Sequence, residues 1–378
     1  MQEEVLPYFP HDVFGSKDGV SPRVFISPGR YVQGAGVLGK LGQYLTPLGS
    51  QHVGVLASPG RMSAEGDRLE SSLESNAMSS QFFEFGGEAS LEEINALVER
   101  LDGTGVDTLV AFGGGKCVDT GKAVAYRLGL PVVVIPSLAS NDAPCSALSV
   151  IYSTAGDVES VEFYPSSPAL VVVDSQVVAD APARYLAAGM GDAMATWFEA
   201  RAVSANPEAL SSIGGKQTLA ALAIGERCAS TIFEHGAEAM RAVRQKTVTP
   251  ALDNVIEANT LLSGLGFESG GLAVAHAVAS ALPTVKSVHD NHLHGEMVAI
   301  GLLAQLVIER QKEDFDRVAE LFSTVGLPVR LNEISIDRTD TETVNRLAET
   351  TMGFNIVNNV AAPVDASIIY DSLMAIDG

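Results

Sequence analysis

Histidine is scarce in this chain, yet four of its seven histidines lie in the stretch GGLAVAHAVASALPTVKSVHDNHLHGE, residues 270–296. His276 falls in a predicted helix of small apolar residues, where a lone histidine is more often a hydrogen-bonded core residue than a ligand. His294 opens a second apolar helix, HGEMVAIGLLAQL, and Pro283 with the loop after it lets the chain fold back between the two. The pattern predicts two helices that each present one imidazole to a shared site.

A catalytic zinc usually takes three protein ligands, so two histidines need a further donor. The stretch GMGDAMATWFEA offers the carboxylate of Asp192, which follows two glycines near the predicted start of a helix. A helix-capping aspartate is the alternative interpretation.

A second type of site is indicated by DTLVAFGGGKCVDTGKAVAYRLG, which reads as a strand, three glycines and a helix. Glycines there allow backbone amides to approach a phosphate, and both the helix N-terminus and Lys116 add positive charge. The turn departs from GxGxxG, and such turns also occur without a ligand.

The run PSLASNDAPCSALSV follows the next predicted strand and is dense in hydroxyl groups. Loops at the carboxyl ends of strands bind ligands in α/β sheets, so this run is expected to lie beside the glycine turn. The alternative is a surface loop with Asx-type turns. The candidate ligand-binding residues in it are Ser137, Ser140, Asp142 and Ser146.

These residues need elements to position them, and strands alternate with helices from about residue 51 to 173. The predicted strands are nearly all apolar, as in a sheet covered on both faces: residues 52–57, 80–85, 106–112, 131–136 and 169–174. The segment LEEINALVERLDG predicts a helix that ends at Gly103, with one apolar stripe: Leu91, Ile94, Leu97, Val98 and Leu101. The pattern is that of a doubly wound, mostly parallel α/β sheet.

Two arms around TAGD, within ALSVIYSTAGDVESVEFYP, predict a hairpin that flanks a cleft. From Pro182, a good first helical residue, the chain reads as helices to its end. We therefore expect an α/β domain over residues 1–180 and an all-α domain over residues 181–378, with the site in the cleft between them.

The composition narrows the class of protein. Forty-six acidic and 24 basic residues give a net charge of −22, which disfavours nucleic acid and anionic membranes as partners. The start of the chain has no leader pattern and no apolar run is long enough to span a bilayer, so a cytoplasmic protein is expected. Cys117, Cys145 and Cys228 lack CxxC spacing and are expected to be packing residues.

Five motifs in order resemble those of the glycerol dehydrogenase branch of the iron-containing (group III) alcohol dehydrogenase family. They are AFGGGKCVDTGKAV, IPSLASNDAPCSALSVIY, GMGDAMATWFEA, SGGLAVAHAV and HLHGEMVAIGLLAQL, and the similarity runs from about Tyr31 to the end of the chain. The resemblance implies a dehydroquinate synthase-like fold, with an N-terminal nicotinamide-binding domain and a C-terminal metal-binding domain.

Residue by residue, the resemblance implies metal ligation by Asp192, His276 and His294, which leaves His289 and His292 as bystanders. Asp142 matches the aspartate that faces a substrate hydroxyl. The cofactor contacts it implies are Gly114, Gly115, Lys116, Asp119, Ser137, Ser140, Ser146, Leu148 and Tyr152.

The implied reaction is oxidation of glycerol, or a related vicinal diol, to the hydroxyketone, with hydride transfer to NAD⁺. Ser58 stands where such enzymes usually carry an acidic residue for the adenosine ribose, and Arg61 is near it, which leaves NADP open. Zn²⁺ is expected, although Asp/His/His ligation also accepts Fe²⁺. The resemblance suggests a homo-oligomer with an octamer as its size, and the roughly twenty N-terminal residues look like an extended tail.

Other functions fit the same fold. A lyase of the dehydroquinate synthase type or a glycerol-1-phosphate dehydrogenase would handle a phosphate group, and the metal-site motifs supply no Lys or Arg cluster for one. A metal- or nucleotide-binding protein without turnover is the alternative from another class.

Overall fold

The computed structural model describes residues 7–15, 19–154 and 156–376. Within them, six parallel strands form one sheet in the order β1-β8-β5-β4-β2-β3, and β6 pairs with β7 in a separate antiparallel hairpin. The strands are β1 Tyr31–Gly34, β2 His52–Ala57, β3 Ser79–Glu84, β4 Thr108–Gly113, β5 Val132–Pro136, β6 Leu148–Tyr152, β7 Val158–Phe163 and β8 Leu170–Asp174.

Helices follow the strands in the first part of the chain and occupy most of the second part. The first group is α1 Pro10–Phe14, α2 Leu41–Leu45, α3 Pro59–Glu74, α4 Leu91–Leu101, α5 Gly115–Leu128 and α6 Ser175–Asp180. The second is α7 Ala183–Ala205, α8 Leu219–Arg244, α9 Pro250–Glu257, α10 Ser263–Gly270, α11 Val274–Ala281, α12 Lys286–Asn291, α13 His294–Ile308, α14 Lys312–Val325, α15 Thr341–Thr351 and α16 Ala366–Ala375.

Side chains along the strands alternate between the two faces of the sheet, and helices cover both faces. In β2, Val53 and Val55 pack into a core with α2 and α3, whereas Leu56 packs with α4 and α5 on the opposite face. Such a sheet is doubly wound. The expected fold class, a parallel α/β sheet followed by helices, is thus confirmed, as is the hairpin.

Several local predictions were wrong. Leu91 is 43% exposed, because it is the first residue of α4 and lies beyond the core contact. The predicted end of this helix is confirmed, since Gly103 follows the C-cap Asp102 with a φ of +72°. Pro182 is the N-cap of α7 and not its first residue. The short edge strand β1 escaped prediction because only four residues pair with β8.

The N-terminal segment also differs from expectation, as far as it is described. Tyr8 forms a bridge to Phe163, and Pro10 in α1 is buried. The backbone at Gly214 lies so close to His11 that a Cβ there would come within 2.9 Å of it. Residues 7–15 therefore dock on the body of the protein; the rest of the predicted tail, residues 1–6 and 16–18, lies outside the described residues.

The three cysteines are free and buried, as expected for packing residues. Among the described residues, no one helix has both the length and the apolarity to cross a membrane. Only the pair Pro250–Gly270 and Val274–Thr284 meets those criteria jointly, across a bend of 103°.

Candidate metal centre and nucleotide cleft

Three helices bring the candidate metal ligands together. Asp192 lies in the interior of α7, His276 is the third residue of α11, and His294 is the first residue of α13. The capping interpretation of Asp192 is wrong, because residues 183–191 are already helical and their own turns satisfy the backbone there. Its carboxylate is free to serve another purpose.

The ligand atoms of this trio face one another. Asp192 Oδ1 lies 3.3 Å from His276 Nε2 and 3.5 Å from His294 Nε2, and one ligand atom from each residue falls within 4.8 Å of the others. Asp192 Oδ1 is buried and makes no hydrogen bond. A buried carboxylate oxygen faced by two imidazole nitrogens is costly unless a proton on an imidazole or a metal cation joins them.

The spacing suits a small divalent ion. Around a tetrahedral zinc with bonds of about 2.1 Å, neighbouring ligand atoms are roughly 3.4 Å apart. The two nitrogen–oxygen distances bracket this value. The donor set, two imidazoles and a carboxylate, is one that zinc and ferrous iron both accept.

Glu199 completes the surroundings of His276, and sequence reasoning missed it. It is fully buried on α7, and its Oε2 lies 2.5 Å from His276 Nδ1. The available signal was its spacing: Asp192 and Glu199 are seven residues apart in one helix, so both project from the same face.

The charges shift each other's protonation. Burial alone would raise the pKa of Asp192, but His294 and His276 hold that pKa below its ordinary value. Burial would lower the pKa of His276, but Glu199 and Asp192 raise it well above the usual range. Without a cation, therefore, the centre favours an ionised Asp192 beside a protonated His276, and a metal would have to displace that proton.

Asp142 reaches the same centre from the loop after β5. Its backbone N–H donates to Asp192 Oδ2 at 3.2 Å, and its own Oδ2 accepts from the Ser263 hydroxyl at 3.4 Å. Burial, and then the charge of Asp192, raises the pKa of Asp142 well above its ordinary value. The loop thus lies directly against the trio, where a substrate hydroxyl could meet both.

The glycine turn follows β4, at the carboxyl edge of the sheet. Gly114 is the N-cap of α5 and Gly115 its first residue. The ammonium of Lys116 donates to Glu88 Oε2 at 2.6 Å and lies 4.7 Å from the centre of the Tyr152 ring. Two predicted cofactor contacts, Lys116 and Tyr152, are therefore adjacent.

A buried lysine, absent from the sequence predictions, links several others. Lys122 Nζ lies 2.9 Å from the carboxylate of Asp119, and it donates to Ser146 Oγ at 3.3 Å and to the carbonyl oxygen of Leu148. The Val150 N–H donates to the same aspartate. Asp119 is thus engaged with Lys122 and β6, and these contacts hold the β6 segment against α5.

The remaining predicted contacts line the same edge. The Ser137 N–H donates to the carbonyl oxygen of Gly113 at 2.8 Å, which joins the ends of β4 and β5. Ser140 is half-buried in the loop that leads to Asp142. Ser58 is the N-cap of α3 at the end of β2, and Arg61 in its first turn pairs with Glu65 at 3.3 Å.

The other two clustered histidines point elsewhere. His289 Nε2 lies 3.1 Å from the carbonyl oxygen of Gly156 in the β6–β7 turn. His292 lies 3.3 Å from Glu296 and 3.0 Å from the Ser335 hydroxyl. Neither belongs to the group of ligand atoms around Asp192.

Known proteins share this sequence and fold. The sequence profile named iron-containing alcohol dehydrogenase matches residues 28–175. The chain is 47% identical to a glycerol dehydrogenase of Escherichia coli, over 83% of this chain and 85% of that one. It is 44% identical to a glycerol dehydrogenase of Thermotoga maritima, over 93% and 96% of the two chains. The crystal structure of glycerol dehydrogenase from Schizosaccharomyces pombe superposes with a TM-score of 0.90, 34% identity and coverage of 96% and 91%.

A parallel dinucleotide-type sheet followed by helices that carry an Asp/His/His cluster defines a class of metal-dependent oxidoreductases. This chain belongs to the iron-containing alcohol dehydrogenase family. The relatives named above are dehydrogenases, so they do not favour a lyase or a binding protein without turnover.

Proposed function

We propose that this chain oxidises glycerol, or a related vicinal diol, to the hydroxyketone, which for glycerol is dihydroxyacetone, with hydride transfer to NAD⁺. The observation that carries the proposal is the convergence of Asp192, His276 and His294 on one point beside Asp142. Two relatives that align with 83% and 93% of this chain are named glycerol dehydrogenases. In this proposal residues 1–180 bind the nicotinamide dinucleotide, residues 181–378 bind the metal, and the reaction takes place between them.

The residues divide the work. Asp192, His276 and His294 hold a divalent cation, which as a Lewis acid lowers the pKa of an alcohol near it. Asp142 orients a substrate hydroxyl against that centre. Gly114, Gly115 and Lys116 receive the cofactor's phosphates at the N-terminus of α5, and the segment Ser137 to Tyr152 positions its other groups.

We propose Zn²⁺ as the metal, because the spacings of Asp192 Oδ1 from the two imidazole nitrogens, 3.3 and 3.5 Å, are close to those of a tetrahedral site. NAD⁺ is the proposed cofactor. Ser58 supplies no carboxylate to repel a 2′-phosphate, so NADP⁺ should also be accepted.

One experiment tests the reaction, the cofactor and the metal together. Initial rates are measured with glycerol, 1,2-propanediol, 1,3-propanediol and glycerol 1-phosphate, each with NAD⁺ and NADP⁺, and metal content is determined on the same sample. We expect turnover of the two vicinal diols and one equivalent of zinc per chain. Full activity after chelation and dialysis would refute the metal centre, and turnover of glycerol 1-phosphate alone would refute the substrate class.

We also propose a homo-oligomer, with an octamer as its size. Val20 and Leu219 are 70% and 75% exposed on the single chain, and contact with another copy would cover them. Light scattering coupled to size-exclusion chromatography measures the mass directly, and a mass of 39.5 kDa would contradict the proposal.

A further inference from the structure

One carboxylate next to the proposed metal centre accepts three hydrogen bonds. Glu199 Oε1 accepts from the backbone N–H groups of Ala273 and His276, at 2.7 and 3.0 Å. Its Oε2 accepts from His276 Nδ1 at 2.5 Å. Glu199 is fully buried, so these protein donors take the place of water.

This arrangement dictates which ring nitrogen of His276 carries a proton. An ionised carboxylate can only accept hydrogen bonds, so Nδ1 must be the donor. Nε2, which faces Asp192 Oδ1 at 3.3 Å, can then offer its lone pair to a cation. The two backbone bonds to Oε1 hold the carboxylate in place, so the imidazole is oriented as well as protonated at the required atom.

We propose that Glu199 is a positioning residue of this enzyme: it fixes the tautomer and the orientation of His276, and so sets the affinity for the divalent cation. The inference rests on the metal centre of the proposed function. Groups that hold the second nitrogen of a ligating histidine typically change metal affinity by about 10–100-fold when they are altered.

Glutamine in place of Glu199 isolates this role. A carboxylate presents an acceptor at both ends, whereas the amide presents an acceptor at one end and an NH₂ donor at the other. If the amide oxygen keeps the two backbone N–H groups, the NH₂ group faces Nδ1. Nδ1 must then accept, and the proton moves to Nε2, the atom that the metal needs.

Gln305, on α13, provides a matched control, because it also accepts a hydrogen bond from the backbone at the start of α11. Its Oε1 accepts from the Ala275 N–H at 3.0 Å, between the two backbone groups that Glu199 holds. It is also fully buried, and its amide nitrogen donates to the carbonyl oxygen of Phe198 at 3.4 Å rather than to His276. Gln305→Met therefore loosens the start of α11 without changing the partner of the ring.

The test measures Zn²⁺ affinity of the full chain by competition with a chromophoric chelator, with NADH binding followed by fluorescence on the same samples. We expect Glu199→Gln to weaken Zn²⁺ binding about 10–100-fold while NADH binding stays within about threefold of wild type. Gln305→Met should keep Zn²⁺ affinity within about threefold. The visible spectrum of the Co²⁺-loaded protein should change in Glu199→Gln and not in Gln305→Met.

The outcomes separate the possible failures. Wild-type Zn²⁺ affinity in Glu199→Gln, or equal weakening in Gln305→Met, would overturn the positioning role and leave the proposed function standing. A wild-type chain that binds no Zn²⁺ or Co²⁺ would remove the metal centre itself. If Glu199→Gln fails to fold, Glu199→Asp and Glu199→Ala replace it. The Glu199→Asp variant keeps both carboxylate acceptors, so it should bind Zn²⁺ more tightly than the Glu199→Ala variant. The reverse order of affinities would overturn the inference.

Discussion

Gly191 and Gly295 face each other where α7 crosses α13. Gly191 directly precedes Asp192, and Gly295 directly follows His294. A Cβ on Gly191 would lie 2.3 Å from the carbonyl oxygen of Gly295, and a Cβ on Gly295 would lie 1.8 Å from that of Ala188. No side chain fits at either position. The close approach of these two helices is what sets Asp192 beside His294.

Replacing Gly295 should therefore damage the metal centre through the helix packing. We expect Gly295→Ala to push α13 away from α7, to lower stability by about 1–3 kcal/mol or more, and to weaken Zn²⁺ binding at least about tenfold. Gly66→Ala is the control, because a Cβ there meets only Met62 at 4.0 Å and alanine favours the helix by about 0.5–1 kcal/mol. Chemical denaturation and chelator competition give the two quantities; unchanged Zn²⁺ affinity in Gly295→Ala would contradict this account.

Removing a ligand should remove the metal and leave the fold. We expect His294→Ala to lose bound metal and at least about 10³-fold in activity, because only one imidazole and one carboxylate remain. His289→Ala is the matched control: its ring contacts the carbonyl oxygen of Gly156 and not the trio, so metal content should stay at the wild-type level. Metal analysis and far-ultraviolet circular dichroism on both variants check this, and a metal-replete His294→Ala would exclude the assigned ligand set.

Glu88 pairs with the ammonium group of Lys116, which we expect to bind the phosphates of the cofactor, so the two compete for the same group. Lys116 donates to Glu88 at 2.6 Å, and both groups are partly exposed. An exposed ion pair is worth about 0.2–1 kcal/mol, so Glu88→Gln should tighten NAD⁺ binding by up to about fivefold. Titration calorimetry measures the change, and Lys116→Met should weaken binding in the same assay. Weaker NAD⁺ binding by Glu88→Gln would instead assign Glu88 a supporting role.

The buried Glu268 should make stability depend on pH. Burial raises its pKa to about 8, although the Ala147 N–H donates to it. A carboxyl whose folded pKa is raised binds its proton more tightly when folded, so its contribution to stability is complete below pH of about 4.5 and is lost as the pH rises to about 8. Glu268→Gln should flatten that decline, which amounts to a few kcal/mol. Denaturation of the metal-free protein at pH 5 to 8.5 tests this; parallel curves for the two proteins would rule it out.

The net charge of −22 should make stability depend on salt. Repulsion among 46 acidic and 24 basic residues opposes the compact state, and it is screened over about 10 Å in 0.1 M salt but about 3 Å in 1 M salt. We expect the melting temperature to rise steadily with NaCl up to 1 M. Choline chloride at equal ionic strength should give a similar rise, since screening does not depend on the cation. A flat response to both salts would argue that the acidic groups are already compensated.

Much of the fold could be predicted from local pattern. Strands such as His52–Ala57 and Leu170–Asp174 match their predicted bounds within a residue, because consecutive apolar and β-branched residues suit a sheet buried on both faces. The glycine turn between β4 and α5 could also be predicted, because three consecutive glycines follow an apolar run typical of a strand. The short strand β1 was not, since its pairing with β8 depends on residues about 140 positions away.

The sequence by itself determined the kinds of group available: the carboxylate of Asp192, the imidazoles of His276 and His294, and a glycine turn, in an order typical of one family. Only the tertiary structure decided how they meet. It placed Asp192 in the middle of α7, turned Glu199 onto His276, and turned Lys122 onto the loop after β5. Helix and strand signals come from neighbouring residues, whereas these contacts join segments tens of residues apart, and their geometry depends on how closely whole helices can pack.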